Sequence, residues 1–151
     1  MRIYVASSWR NTRQPDVILA LRSVGFEVYD FRAPSKGAVG FHWSEIDPAW
    51  KSWTPEEYRT SLQHPIAVKG YETDIAALED SDIVVLVMPC GRSAHLEFGY
   101  AIGRGHTGFI LLSDGEPELM YAMADDLCTS VAELVNRCLE HQAALLRGHG
   151  T

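Results

Sequence analysis

Six consecutive apolar residues, Ile83-Val84-Val85-Leu86-Val87-Met88, run straight into Pro89-Cys90-Gly91. The run is far too short for a membrane span, which takes about 20 residues. Bounded by Asp82 and Pro89 and rich in β-branched residues, it reads as a strand buried on both faces. Strands of that kind occur in parallel sheets covered by helices on either side. The carboxyl edge of such a sheet is where open α/β folds hold their ligands. Behind this strand the chain turns at Pro-x-Gly and enters a helical stretch with Ser93 near its start and Glu97 one turn inside.

The rest of the chain repeats the theme. Residues 2–6 form a buried strand, followed by the loop Ser7-Ser8-Trp9-Arg10-Asn11-Thr12. Val17, Ile18 and Leu21 recur at helical spacing between Pro15 and Val24, and Gly25 ends that helix. Phe26 to Tyr29 is the second strand. A helix over about 67–80 leads into the strand at 82–88, and the Glu97 helix follows. A fourth strand lies near 109–112, a short helix near 118–123 and a last helix over 131–146. The alternation predicts a flavodoxin-like or Rossmann-like α/β fold, with a parallel sheet of four to five strands and helices on both faces.

With 151 residues, no repeat and no composition break, residues 1–151 are expected to form a single domain. A net charge of −7 argues against a nucleic-acid polymer as partner, which a basic face usually meets. It leaves room for a small phosphate held by one or two local arginines. Three widely spaced cysteines, Cys90, Cys128 and Cys138, suggest neither a disulfide framework nor a zinc ribbon. The chain enters its first strand at once, without a signal-like segment, so a cytoplasmic protein that meets no membrane is expected. The tail 147–151 reads as frayed.

One piece is irregular. Residues 32–65 carry Phe41, His42 and three of the four tryptophans, Trp43, Trp50 and Trp53. Insertions of this length are usually lids or binding loops. Thr54-Pro55-Glu56-Glu57 has the form of a capping box and starts a short helix. Two readings stand side by side. The tryptophans pack under their own loop, or they form an aromatic lid, with Trp43 against a flat ligand such as a nucleobase.

Two carboxylates stand out. If Ser93 is the N-cap, the capping-box position is Leu96, so Glu97 has no capping role. It shares a face with Ser93, Leu96, Tyr100 and Ala101, and the helix dipole should favour its ionised, nucleophilic form. The bland alternative is a solvated helix face. Asp74 precedes Ala77 and Leu78 by three and four residues, which puts it on the apolar stripe of its helix. A carboxylate there is costly unless paired or used. Its alternative is an early-turn Asp favoured by the dipole, while Asp80 and Asp82 are turn residues flanking the strand.

Ser7, Ser8 and Arg10 occupy the first strand-to-helix loop, and Gly91, Arg92 and Ser93 the neighbouring turn. Helix-start amides with two arginines would cradle a phosphate. No G-x-G-x-x-G follows the first strand and there is no Walker sequence, so surface solvation of the arginines competes with that reading. His95-Leu96-Glu97 after Pro89-Cys90 is superficially similar to a zinc deaminase motif, but its order is reversed and its second cysteine missing. No metal site and no cofactor are expected.

These residues together resemble the nucleoside 2-deoxyribosyltransferases and their nucleotide N-glycosidase relatives, over most of the chain outside the insertion and the last helix. Ile3-Tyr4-Val5-Ala6 is similar to the family's first strand, whose tyrosine, here Tyr4, hydrogen-bonds the catalytic carboxylate. Asp74 matches its helix aspartate, which assists protonation of the leaving base. Glu97-Phe98-Gly99-Tyr100-Ala101 resembles E-L-G-Y-A, whose Glu is the nucleophile. Glu118-Leu119-Met120 is similar to the N-L-M segment that enters a neighbouring subunit's site, with Glu in place of Asn. The resemblance implies an N-glycosidase or 2-deoxyribosyltransferase that forms a covalent glycosyl-Glu97, acts on a small-molecule nucleotide or nucleoside, and assembles as a homodimer or higher homo-oligomer. Six residues before the glutamate, nucleoside-using members carry an Asp, whereas this chain has Gly91, then Arg92 and Ser93. That departure points to a phosphorylated substrate. A TIR-like NAD glycohydrolase is the alternative enzyme, and a nucleotide-binding sensor without catalysis the alternative of another class.

Overall fold

The apolar runs become adjacent strands. The computed structural model describes residues 1–148. Its strands are β1 (Arg2–Ala6), β2 (Glu27–Asp30), β3 (Ile83–Val87), β4 (Thr107–Leu111) and β5 (Asp126–Cys128), joined by α1 (Gln14–Ser23), α2 (Pro55–Ser61), α3 (Pro65–Glu79), α4 (Arg92–Gly103) and α5 (Val131–Gly148). All five strands are parallel, in the order β2-β1-β3-β4-β5. This is the flavodoxin-like α/β sheet, with its switch point between β1 and β3. Strand β5, three residues long with a single buried position, carries no periodic signal and is legible only in the sheet.

The strand period of two sorts side chains to opposite faces. Ile3, Val5, Val85 and Val87 face α1 and α5, against Val17, Leu21, Leu134 and Cys138. Tyr4, Ala6, Val84 and Leu86 face α3 and α4, against Leu78, Ala94, Phe98 and Ala101. In register, Tyr4 lies beside Tyr29 on one side and Val84 on the other.

Several boundaries differ from the sequence reading. Helix α1 ends at Gly25 (φ +95°) as expected, but its start is held by the Asn11 side chain, whose Oδ1 accepts from the amides of Arg13 (2.8 Å) and Gln14 (3.1 Å). Helix α3 begins two residues earlier than expected, at Pro65, with His64 Nδ1 accepting from Ile66 N. The expected box at Thr54 and Glu57 forms and opens α2. Gly91, not Ser93, is the N-cap of α4, so Glu97 sits in the second turn. The buried stripe of α4 is Ala94, Phe98 and Ala101, whereas Leu96 is 75% exposed. Arg147 and Gly148 continue α5 rather than fray, and 149–151 lie outside the described residues. Among the described residues no helix is long and apolar enough to cross a membrane.

Candidate active site

The loops after β1 and β3 meet at the switch point, and side chains bolt them together. Ser7 Oγ donates to Val87 O (2.9 Å). Asn11, 3% exposed, donates through Nδ2 to Val87 O (3.1 Å) and Pro89 O (3.0 Å). Its four hydrogen bonds use the full capacity of the amide nitrogen and both acceptor positions of the oxygen. Arg32, the first residue of the insertion, donates through Nη2 to the carbonyls of Ser8 (2.8 Å), Trp9 (3.0 Å) and Asn11 (2.7 Å). A cavity of about 1010 Å³ opens over this junction. Ser7, Ser8 and Arg10 line it from the first loop, Gly91, Arg92 and Ser93 from the second, and Asp74 and Glu97 from α3 and α4.

Glu97 is held at the floor. Ser93, one turn earlier on α4, offers its hydroxyl at 3.4 Å. Tyr4, 0% exposed, lies close to Glu97, and its hydroxyl has no hydrogen-bond partner of full geometry among the described residues. Burial first, and the nearby charge of Asp74 second, push Glu97 from 4.5 up to about 7. The helix dipole expected to favour ionised Glu97 is opposed here, because in the second turn the dipole has faded while desolvation and a like charge raise the group. Burial also raises Asp74, opposed by a hydrogen bond from Tyr29 Oη to Asp74 Oδ1 (2.7 Å). Each of the two carboxyl groups is thus pushed above its ordinary range by burial, and because Asp74 acts on Glu97 through its charge they titrate as a pair rather than as separate residues. One acid and one base side by side is the arrangement that glycosyl transfer through an ester requires.

Sequence reasoning missed Tyr29, Asn11 and Arg32. Tyr29 reads as an ordinary strand aromatic until the register sets it against Tyr4, with ring centroids 5.1 Å apart and planes 17° apart.

The aromatic residues of the insertion pack on one another, and several of them also line the cavity. Trp53 is structural: its ring meets Trp43 edge-on at 5.7 Å, and its Nε1 donates to Asp47 Oδ2 (2.7 Å). Trp43 packs on Phe41 (4.8 Å) and Tyr58 (5.7 Å) and also lines the cavity, as do Phe41 and Trp50. His42 stacks on Trp9 at 4.0 Å, joining the insertion to the first loop. Gly40 makes the close approach possible, since a Cβ there would stand 1.9 Å from the Phe31 carbonyl oxygen.

Three cations border the cavity: Arg10, Arg92 and Lys51, the last with Nζ 5.6 Å from the Trp50 ring centre. None of the three is in an ion pair among the described residues. His95 faces away from Glu97: Nδ1 meets Gly91 O (2.7 Å) and Nε2 meets Tyr121 Oη (2.8 Å). Burial pushes the Cys90 thiol up to about 12, which leaves it unreactive. Glu118 and Met120 are not brought to this cavity. Glu118 Oε1 accepts from Met120 N (3.0 Å), and Met120 is 57% exposed.

No protein-family model matches the chain, and no curated protein matches it. Solved structures do. A 2-deoxyribosyltransferase from the psychrotolerant bacterium Bacillus psychrosaccharolyticus is similar with a TM-score of 0.63 at 18% identity, over 90% of this chain and 91% of that one. The CMP N-glycosidase BcmB of Clostridium botulinum is similar with a TM-score of 0.50 at 17% identity, over 91% of this chain and 98% of that one. At such identities the likeness establishes a shared fold.

Proposed function

We propose that this protein is an N-glycosidase that breaks the bond between base and sugar in a small nucleotide, by hydrolysis or by transfer of the sugar to a second base. The observation that carries this reading is the Glu97–Asp74 pair, two partly buried carboxyl groups lining one cavity at the sheet's switch point. The fold shared with a deoxyribosyltransferase and a CMP N-glycosidase supports it.

In this mechanism the Glu97 carboxylate attacks the anomeric carbon through an oxocarbenium-like transition state. The electrons of the carbon–nitrogen bond leave with the base, whose nitrogen takes the proton from Asp74. The glycosyl–Glu97 ester is then opened by water, which returns a proton to Asp74, or by the nitrogen of an incoming base. Tyr4 steadies the Glu97 carboxylate from the sheet. Ser7, Ser8, Arg10, Gly91, Arg92 and Ser93 surround the sugar and its substituent. Arg10, Arg92 and Lys51 make the rim cationic in an acidic chain, which supports a phosphorylated substrate over a nucleoside. Trp43 and Trp50 offer flat surfaces to the base. Glu118 and Met120, exposed and outside the lining of their own cavity, are proposed to meet a neighbouring subunit's site in a homo-oligomer.

The test is chromatography of free bases released from a mixed pool of nucleosides, nucleoside monophosphates and NAD. Release from monophosphates, abolished in Glu97→Gln, is the expected result. No release from any of them by the native protein would sink the reading in favour of a binding module, and release from NAD alone would turn it towards a NAD glycohydrolase.

A further inference from the structure

We propose that Tyr29 is a positioning residue that governs how Asp74 holds and surrenders its proton, so that two stacked phenols on neighbouring strands each serve one of the two carboxyl groups. The inference rests on the proposed glycosidase reading and deepens it. Tyr29 Oη donates to Asp74 Oδ1 at 2.7 Å, the hydrogen bond that the Asp74 side chain makes among the described residues. The phenol cannot swing away, because its ring lies on that of Tyr4 and its backbone is locked opposite Tyr4 in the β1–β2 ladder. Tyr4, on the adjacent strand, is in electrostatic range of Glu97 but its hydroxyl makes no hydrogen bond of full geometry among the described residues. The titratable groups around Asp74 are therefore Tyr29 from β2, Tyr4 from β1 and Glu97 from α4, with Asp30 next to Tyr29 and Cys90 beside Glu97.

The chemical consequence follows from which form the phenol prefers. A donor stabilises the carboxylate and not the carboxylic acid, so it lowers the cost of the state that Asp74 reaches after protonating the base. Without Tyr29, Asp74 becomes a weaker acid. It keeps its proton to higher pH but gives it up less readily to a departing nitrogen. Glu97, which attacks from the other side of the sugar, is touched only through the charge of Asp74.

The test is Tyr29→Phe, which keeps the ring stack and removes the hydroxyl. Titration of the Asp74 carboxyl carbon by 13C NMR in the free protein should move up by about one pH unit, the size expected for a lost hydrogen bond to a charged group. In activity, the limb of kcat/KM for base release that reports Asp74 should move up by a similar amount, with the limb near 7 set by Glu97 nearly still. The kcat for a natural base should fall about tenfold or more, while release of p-nitrophenol from the matching p-nitrophenyl glycoside, which leaves without a proton, should be unchanged. An unmoved Asp74 titration would overturn the proposal, as would equal losses with both leaving groups. Native protein that cleaves neither substrate would remove the glycosidase reading instead, and the carboxyl titration would still decide whether Tyr29 controls Asp74.

Discussion

The two faces of one sheet, built from the same strands, have been put to different uses. Towards α1 and α5 the strands present Ile3, Val5, Val85 and Val87 to an apolar layer of aliphatic side chains and the buried thiols Cys128 and Cys138. Towards α3 and α4 the same strands present Tyr4 and Tyr29, and the helices answer with Asp74 and Glu97. The first face removes apolar surface from water and asks only for close packing. The second holds two carboxyl groups where burial opposes their charge, which costs stability and raises both above their ordinary range. What distinguishes a working face from a supporting one is the polar groups it retains, since both are buried.

Substitutions that separate stability from activity sharpen this contrast. The largest effect is expected for Glu97→Gln, with base release falling on the order of 10⁴-fold or more for loss of a nucleophile. The same variant should melt higher than the native protein. Glu97 stands at about 7 folded against 4.5 as its ordinary value, so the protonated group favours folding below pH 4.5, and that contribution is lost as the pH rises through 7. Glutamine suffers no such loss, and its advantage should grow from near zero at pH 4.5 to about 2–3 kcal/mol at pH 8, read by denaturant titration at both pH values.

Asp74→Asn comes next, with base release reduced about 10²- to 10⁴-fold for loss of a general acid and little change in the denaturation midpoint. Leu21→Ala, on the supporting face, should do the reverse: about 2–5 kcal/mol of stability lost with kcat intact below the unfolding range. A catalytic loss in Leu21→Ala at unchanged fold would break the division between the faces. The smallest effect is expected at the rim. Arg10→Gln with Arg92→Gln should raise KM for a 5′-monophosphate about tenfold and leave KM for the parent nucleoside alone, as removal of charge-assisted contacts would.

Much of this was legible in one dimension because it rests on period and punctuation. The run 83–88, the Gly25 stop and the Thr54 box each act over a few residues, and each appears where the sequence places it. Asp74 was visible because a carboxylate on an apolar helix stripe is conspicuous, and Glu97 because it follows the turn after the buried strand with no capping role to explain it. The N-cap of α4 was misread because Ser93 is the better capping residue by type, while the chain geometry after Pro89 sets Gly91 there. Tyr29, Asn11 and Arg32 gave no signal: a strand tyrosine, a loop asparagine and a loop arginine are unremarkable by type and spacing. Their importance lies in partners up to 78 residues away, such as Asn11 on Pro89.

Sequence alone determined the α/β class, the central strand, the site's edge of the sheet and the acidic residues in it, because hydrophobic period and turn chemistry are local. The tertiary structure alone decided the burial and the neighbours that shift those acids from their ordinary range. Burial, like charge and the stacking of Tyr4 on Tyr29 arise only when β1, β2, α3 and α4 are brought together. A pKa depends on what surrounds a group in space, and that is a sum over elements that no stretch of chain contains.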